Sequence, residues 1–262
     1  MAGDPGRHPL LAVQQIQKRF GGIVAVQDVS FALDRGEIVG LIGPNGAGKT
    51  TLVNLIAGFD VASSGTVRFE GVDVTRQRAY QAARRGVART FQIVQPFPEM
   101  SVIENVAAGA LFAGRAGSRK EAEERARSEL EFVGLAAETQ RSAAALTLPS
   151  RKRLELAKSL AMQPKLLLLD EVNAGLNSVE VGQAVVLMRK IAARGITIVI
   201  IEHLLKVVFT LCTRVLVLHH GKLIADGRPE RVASDESVIE AYLGPKFAAR
   251  LKAHGLDGNP VA

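Results

Sequence analysis

Apolar positions in this chain form short continuous runs separated by segments with helical spacing. The runs EIVGLIG (37–43), KLLLLD (165–170) and ITIVII (196–201) have the length of buried strands. The first is followed by a glycine-rich stretch and then by LVNLIAG, which has helical spacing and closes at Gly58. Strands that are apolar throughout and alternate with helices predict a buried, largely parallel sheet.

Other segments extend this α/β pattern. SGTVRFEG (64–71) and GVARTFQ (86–92) are predicted strands, and a helix is predicted from about Ser178 to Arg194, where Gly195 stops it. RVLVLHHGKLIADG (214–227) predicts a hairpin that turns near His220 and Gly221.

Between about residues 93 and 155 the pattern becomes helical. Ser101 begins SVIENVAAGAL, and Ser118 with Glu121 predicts a capping box for the helix that follows. We therefore expect one domain over 1–262, with a core at 9–92 and 156–243, an inserted helical subdomain at 93–155 and a basic tail at 244–262.

Composition limits the possible classes of protein. A chain of 262 residues with 47% apolar content can bury a core as one large domain. Cys212 is the single cysteine, so disulfides and cysteine metal sites are not expected and a reducing compartment is favoured. The polar start MAGDPGRHP does not resemble a signal peptide, and the aliphatic runs are too short to cross a bilayer.

The net charge of +7 is compatible with acidic partners, including nucleic acid, an anionic membrane surface or a polyphosphate. The simpler interpretation is a solvated basic surface. The basic residues form two clusters, Arg84, Arg85 and Arg89, and Arg151, Lys152, Arg153 and Lys158. No aromatic residues alternate with these clusters as a platform for single-stranded nucleic acid would require, so nucleic acid is the weaker hypothesis.

The strongest chemical signal is GPNGAGKT, which runs from Gly43 to Thr50 between a strand and a helix. Its glycines let successive backbone N–H groups point at phosphate oxygens, and the following helix adds its positive end. Lys49 is expected to reach the β- and γ-phosphates and Thr50 to bind Mg²⁺. This pattern predicts a phosphate-binding loop for ATP, and a plain glycine-rich turn is the alternative.

A pair of carboxylates at the end of the predicted strand 165–170 supports this prediction. Asp170 and Glu171 lie where parallel-sheet proteins place ligand groups. Asp170 is expected to act near Mg²⁺, and Glu171 to orient the water that attacks the γ-phosphate. The alternative is that the two residues begin a solvated loop.

The chain resembles the nucleotide-binding subunits of ABC transporters over about residues 9–243, on the phosphate loop, LLLLDE, Gln92 in TFQ, AGLN (174–177) and His203 in IEHLL. More narrowly, KRFGGIVAVQDVSF (18–31), RLELAKSLAMQPKLLLLDE (153–171) and VIEAYLG (238–244) are similar to ATPase subunits of importers for branched-chain amino acids and related amides such as urea. The resemblance implies a P-loop NTPase (RecA-like) core with a mostly parallel sheet, an antiparallel β part near the N-terminus and an inserted helical subdomain.

The resemblance also implies roles for individual residues. Phe20 would stack on adenine, Gln92 would bind Mg²⁺ and couple to the membrane subunit, and His203 would contact the γ-phosphate. The resulting prediction places catalysis on Glu171, His203 and Lys49, and the metal on Thr50, Gln92 and Asp170. The predicted nucleotide-binding residues are Phe20, Gly43, Pro44, Asn45, Gly46, Ala47, Gly48, Lys49, Thr50, Thr51, Gln92, Thr147 and Ser150.

The stretch LTLPS (146–150) departs from the motif Leu-Ser-Gly-Gly-Gln, which in the resembling family caps the phosphate held by the other subunit of a head-to-tail dimer. Thr147 keeps a hydroxyl, but Pro149 has no N–H to donate, although proline suits the first turn of a helix. Leu148 adds bulk where the motif has glycine. One lost charge-assisted bond, about 1.5–3 kcal/mol, weakens the grip about ten- to a hundredfold. The alternative is a loop without capping function.

Two further departures concern the loop after Glu171. Val172 stands where the resembling family usually has proline, which changes the stiffness of the loop. Asn177 stands where that family usually has aspartate, so the negative charge is absent, but the amide side chain can still hydrogen-bond. Communication between two nucleotide sites is therefore in doubt. We expect the site built on this chain's own phosphate loop to be the more competent one when two different ATPase subunits pair.

The resemblance as a whole implies an ATPase that binds ATP and Mg²⁺ on the cytoplasmic face of the membrane. Its partners would be permease subunits, a second ATPase subunit (identical or different) and, indirectly, a solute-binding protein, with no nucleic acid expected. Two alternatives stay open. One is a soluble ABC-type ATPase acting on nucleic acid, and the other is a regulatory subunit that binds ATP but hydrolyses it weakly.

Overall fold

A computed structural model describes residues 8–90, 96–113 and 116–243. The strands are β1 Leu11–Phe20, β2 Ile23–Leu33, β3 Ile38–Ile42, β4 Ser64–Phe69, β5 Val72–Asp73, β6 Val87–Arg89, β7 Leu166–Asp170, β8 Thr197–Ile201, β9 Arg214–His219 and β10 Lys222–Gly227. The α-helices are α1 Lys49–Ala57, α2 Ala79–Arg85, α3 Val102–Phe112, α4 Arg119–Phe132, α5 Leu148–Ala161, α6 Ser178–Ala193, α7 Leu205–Leu211, α8 Pro229–Ala233 and α9 Glu236–Leu243.

The chain divides into two compact units. Unit 1 comprises residues up to Gln77 together with those from Val199 onwards, and unit 2 comprises Arg78–Ile198, so one boundary falls within β8. The predicted boundaries 9–92, 93–155, 156–243 and 244–262 stay a prediction, and the tail 244–262 lies outside the described residues.

Unit 1 begins with a four-stranded antiparallel sheet in the order β2-β1-β4-β5. Leu11 of β1 pairs with Leu33 on one side and Phe69 on the other. Leu11 and Val13, two residues apart, are both buried because alternate residues of a strand point to the same face of the sheet. The antiparallel β part near the N-terminus is therefore present.

Unit 1 also contains strands of mixed direction beside this sheet. β3 pairs in parallel with β9, and β9 pairs antiparallel with β10. The connection between β9 and β10 turns at His220 and Gly221, both with positive φ, as the hairpin prediction expected. All five residues of β3 are buried, which is typical of a strand covered on both faces.

In unit 2, β6 pairs in parallel with β7, and helices α3, α4 and α5 pack against one another. Ser101 and Glu104 form a reciprocal capping box at the start of α3. At α4 the box prediction needs a correction. Ser118 caps the helix by accepting the N–H of Glu121, but the Glu121 carboxylate accepts the N–H of Gly117 at 2.7 Å instead of that of Ser118.

Helix α6 follows its prediction closely. Asn177 caps its start, with Oδ1 accepting the N–H groups of Val179 and Glu180 at 3.0 Å each, and Gly195 with φ +83° follows its end. Within 8–90, 96–113 and 116–243, no helix is both long enough and apolar enough to span a membrane.

Candidate nucleotide site

The glycine-rich segment from Gly43 to Thr51 connects β3 to α1 in unit 1, and its backbone requires glycine. Gly43, Gly46 and Gly48 have φ of +148°, +77° and +100°, which L side chains rarely adopt. A Cβ on Gly43 would overlap the carbonyl oxygen of Leu218, and one on Gly48 would overlap that of Ala25. Gly43 and Gly48 therefore also allow another segment of backbone to lie closer than a side chain would permit.

Lys49 is buried inside this loop. Its Nζ donates to the carbonyl oxygens of Gly43, at 2.7 Å, and Pro44, at 3.0 Å. Thr50 is exposed beside it, and none of the described side chains caps the start of α1, where Gly48 is the cap residue. The first N–H groups of a nine-residue helix and an ammonium group thus converge on one loop, which is the arrangement that binds phosphates.

Two neighbours hold the loop, and the sequence did not indicate them. The N–H of Gly221, in the β9–β10 turn, donates to the carbonyl of Ala47 at 3.0 Å. From α9, the phenol oxygen of Tyr242 accepts the N–H of Gly43. Burial raises the pKa of Tyr242 to about 12, and the Gly43 N–H opposes that rise, so the phenol stays neutral at physiological pH.

The other predicted residues of unit 1 are accessible to a ligand. Phe20 ends β1 with 46% of its surface exposed, and the Lys18 Nζ lies 4.6 Å from the centre of its ring. His203 is exposed in the segment between β8 and α7. An exposed aromatic ring at a strand end offers a face for stacking.

In unit 2, Asp170 lies at the end of β7, as predicted, and is paired. Its Oδ2 accepts Nη2 of Arg89 at 2.8 Å, and both side chains are buried. The backbone N–H of Asp170 donates to Oγ1 of Thr90 at 3.3 Å. Arg89 and Thr90 precede the predicted Gln92 in the chain, but their spacing from Asp170 carried no signal of this pairing. Gln92 itself lies outside the described residues.

Glu171 has an unusual backbone conformation. Its φ of +49° is in the left-handed region, which costs a non-glycine residue about 1–3 kcal/mol and is often found at functional sites. The Glu171 carbonyl accepts the N–H of Ala174 at 3.1 Å. It also accepts Nζ of Lys152 at 3.3 Å, and the carbonyl of Val172 accepts the same Nζ at 2.8 Å.

The LTLPS segment begins a helix, so it is not an irregular loop. Thr147 is the cap residue of α5, and its Oγ1 lies 3.5 Å from the N–H of Ser150 and 3.2 Å from the Ser150 hydroxyl. Pro149 lies in the first turn, where a missing N–H breaks no intrahelical bond. Leu148 is about half exposed.

The predicted residues therefore separate by unit. Unit 1 carries Phe20, the Gly43–Thr51 loop and His203, whereas unit 2 carries Asp170 with Glu171, and the Thr147–Ser150 turn. Within unit 2, Lys152 of α5 binds the backbone at Glu171, and sequence reasoning missed this contact.

Comparison with known protein families identifies the family of this chain. A family model described as ABC transporter matches residues 26–174, more than half of the chain. A model described as branched-chain amino acid ATP-binding cassette transporter matches residues 222–244. The chain belongs to the ABC transporter ATP-binding proteins of the branched-chain amino acid (LivG/BraF) family.

Individual relatives agree with this assignment. The chain is 37% identical over 250 residues to the high-affinity branched-chain amino acid transport ATP-binding protein BraF of Pseudomonas aeruginosa, covering 90% of this chain and 98% of BraF. It is 40% identical over 250 residues to LivG of Salmonella typhimurium, with the same two coverages. A probable LivG of Methanocaldococcus jannaschii is 34% identical over 250 residues, covering 90% and 97%.

Solved structures confirm the fold. A nucleotide-free ATP-binding cassette from an ABC transporter has a TM-score of 0.82 and 33% identity, covering 90% of this chain and 99% of that one. A cassette in its ADP conformation has the same score and identity, covering 91% and 100%. The predicted antiparallel part, mostly parallel sheet and helical subdomain are thus those of the ABC ATPase fold.

This ABC transporter ATPase binds ATP, and its hydrolysis of ATP is coupled to transport. It is the ATPase subunit of an ABC transporter, which implies permease partners. The predictions of the family, of the ATPase class and of ATP as ligand are confirmed, whereas the roles of individual residues stay predictions.

Proposed function

We propose that this ATPase drives uptake of branched-chain amino acids, or of a related small amino acid or amide, through separate permease subunits. The names of the BraF and LivG relatives support this substrate class, and so does the match of residues 222–244. The observation that carries the nucleotide part is the Gly43–Thr51 loop, with its glycine-dependent backbone and the enclosed amine of Lys49.

In this proposal the loop holds the triphosphate of ATP. Lys49 exchanges its two carbonyl acceptors for the β- and γ-phosphates, because charged oxygens form stronger bonds with an ammonium than neutral carbonyls do. The N–H groups of Gly46 and of Gly48 to Thr51 bind the remaining phosphate oxygens. Phe20 stacks on the adenine, and its exposure leaves a ring face available.

Mg²⁺ fits the donors of this chain. In the described part of the chain, no three His, Cys, Asp or Glu side chains form a metal cage. Nucleotide-bound Mg²⁺ needs none, because phosphates and waters supply most of its six ligands. The exposed Thr50 hydroxyl, the Asp170 carboxylate and Gln92 would hold it, and it would neutralise charge on the phosphates.

Glu171 is the residue proposed to orient the attacking water. The water oxygen bonds to the γ-phosphorus while the bond to the β–γ bridging oxygen breaks, which yields ADP and phosphate. His203 would contact the γ-phosphate and stabilise the charge that develops there. The left-handed backbone of Glu171 supports a functional placement, because strain of this kind collects at active sites.

The dimer is proposed to place Thr147 and Ser150 against the phosphate bound by a second ATPase subunit, identical or different. Permease subunits would contact the helical subdomain on the cytoplasmic face of the membrane. A solute-binding protein would deliver substrate on the other side, and no nucleic acid is involved.

The two sites of such a dimer would differ in strength. Pro149 offers no N–H to the partner's phosphate, and the Asn177 side chain is engaged in capping its own helix α6. We therefore expect the site formed by this chain's Gly43–Thr51 loop and a partner's signature to turn over faster. Trapping nucleotide separately in each site of the assembled complex tests this, and equal turnover in both would contradict it.

The second candidate is a regulatory subunit that binds ATP but hydrolyses it weakly. Pro149 and Asn177 favour this candidate as well. Turnover separates the candidates. Weak hydrolysis by an assembled complex in which only this chain's loop is intact would favour the regulatory subunit.

The first experiment measures the solution mass of the Glu171→Gln chain with and without ATP and Mg²⁺. Blocked hydrolysis should trap an ATP-dependent dimer if the Thr147 turn caps a phosphate, and Lys49→Ala in the same background should abolish it. A monomer that still binds ATP would mean that another ATPase chain or the permease must complete the site. A chain that fails to bind ATP would overturn the proposal.

A further inference from the structure

Lys152 is a buried lysine in the second turn of α5, and only 8% of its surface is exposed. Its ammonium donates to two consecutive backbone carbonyls, those of Glu171 at 3.3 Å and Val172 at 2.8 Å. Burying an ammonium group is costly unless such acceptors satisfy it. The position therefore requires an explanation beyond packing.

The carbonyls that Lys152 binds belong to the segment that carries the proposed catalytic carboxylate. Glu171 has φ +49°, a conformation that neighbouring contacts must hold in place. The N–H of Ala174 reaches the same Glu171 carbonyl at 3.1 Å, so this oxygen has donors from the turn and from α5. The ammonium also restrains the next residue, because it donates to the carbonyl of Val172.

Arg151, the residue before Lys152, fixes the segment that leads into α5. Arg151 donates from Nε to the Leu146 carbonyl at 3.0 Å and from Nη2 to the Ala144 carbonyl at 2.9 Å. Consecutive residues of one helix thus hold the turn that carries Thr147 and the loop that carries Glu171.

We propose that Lys152 is a positioning residue that holds the Glu171–Val172 backbone and thereby sets the orientation of the Glu171 carboxylate. This inference rests on the proposed role of Glu171 in hydrolysis. Lys152 acts through two carbonyls and is not itself a catalytic residue. Because a misplacement of about 1 Å can cost about a hundredfold in rate, loss of the ammonium should lower turnover far more than ATP affinity.

The test compares full-length Lys152→Met, Lys152→Arg and wild-type chains in ATP turnover and ATP binding. We expect Lys152→Met to lower kcat about 10- to 100-fold, with KM for ATP within about twofold of wild type. Lys152→Arg keeps a donor of different geometry and should recover most of the rate. The shape of the kcat–pH profile should stay the same, because Lys152 moves no proton.

Lys158→Met is the matched control, because Lys158 is on the same helix and pairs with the buried Glu155 at 2.6 Å. It should destabilise the chain, by leaving that carboxylate unpaired, but keep the turnover of folded molecules. Lys152→Gln replaces Lys152→Met if the latter fails to fold.

Hydrogen exchange of the Ala174 amide provides a readout that needs no hydrolysis. Lys152→Met should accelerate it at least about fivefold, which corresponds to one lost hydrogen bond, and Lys158→Met should not. If Lys152→Met leaves the exchange rate of the Ala174 amide unchanged, or leaves kcat unchanged when the wild-type protein is active, the inference is overturned. If wild-type chain alone binds ATP without turning it over, the same variants are compared in the complex assembled with its partner subunits. A complete complex that binds ATP but does not turn it over would count against the proposed function, and Lys152 would then be judged on exchange alone.

Discussion

The ion pair between Arg89 and Asp170 yields the sharpest stability prediction. Arg89→Met keeps a side chain of similar length but removes the charge that faces Asp170 at 2.8 Å. Both partners have only 7% of their side-chain surface exposed, so the remaining carboxylate would stay buried without its ion-pair partner. Removing one partner of such a pair costs about 3–5 kcal/mol. At about 2–4 °C per kcal/mol for large domains, this corresponds to a fall in Tm of about 6–20 °C.

The exposed pair Arg119–Glu123 is the control, because it has the same 2.8 Å separation but side chains that are 79% and 35% exposed. Arg119→Met should cost only about 0.3–0.5 kcal/mol. Urea unfolding of nucleotide-free chains measures both. Arg89→Met combined with Asp170→Asn should recover part of the loss, since the neutral amide needs no counter-charge. A loss below about 1 kcal/mol for Arg89→Met, or equal losses for the two pairs, would refute the reasoning that burial decides the value.

Three further outcomes are expected. Gly48→Ala should unfold at a lower urea concentration than Gly46→Ala. The added Cβ at position 46 meets no described atom within 4 Å, so that variant has only the cost of its positive φ, about 1–2 kcal/mol, whereas the Cβ at position 48 also overlaps the carbonyl of Ala25 in β2. Equal urea midpoints for the two variants would contradict this. Tyr242→Phe removes the acceptor for the first glycine N–H of the phosphate loop and should raise the Kd for ATP about two- to tenfold in a fluorescence titration, with Tyr80→Phe, on α2, as the control that leaves Kd unchanged. Burial, and secondarily the charge of Glu202, raises the pKa of the Cys212 thiol from 9.0 to about 12. Because the thiol ionises at lower pH in the unfolded chain, its contribution to stability is complete below pH 9 and is lost between pH 9 and 12. Cys212→Ala should therefore flatten the fall in the free energy of unfolding that is measured over that range.

Several features of the fold were predictable because they are local in the chain. The glycines of the phosphate loop, the cap at Ser101 and the apolar run 166–169 each depend on neighbours within a few residues. The resemblance carried by the motifs added the antiparallel β part and the family. Only the Glu121 side-chain half of the capping box at Ser118 was predicted wrongly, because that carboxylate bonds the N–H of Gly117 instead of that of Ser118.

Contacts between distant segments could not be predicted. Arg89 and Asp170 are 81 residues apart, and Lys152 lies 19 residues before Glu171, so no periodicity or spacing relates them. Sequence alone gave Arg89 and Lys152 the appearance of ordinary members of basic clusters. Their charges acquire partners only when strand β6 pairs with β7, and when helix α5 packs beside the loop after β7.

By itself, then, the sequence determined the phosphate-binding loop and the main apolar strands and helices, because these are encoded by residue type at short separation. The roles of Phe20, Gln92 and His203 came from the family resemblance. Only the tertiary structure decided how those residues are held. Burial converts Arg89 and Lys152 from surface-type side chains into partners of Asp170 and of the Glu171 backbone, since a polar group removed from water must find its hydrogen bonds within the protein.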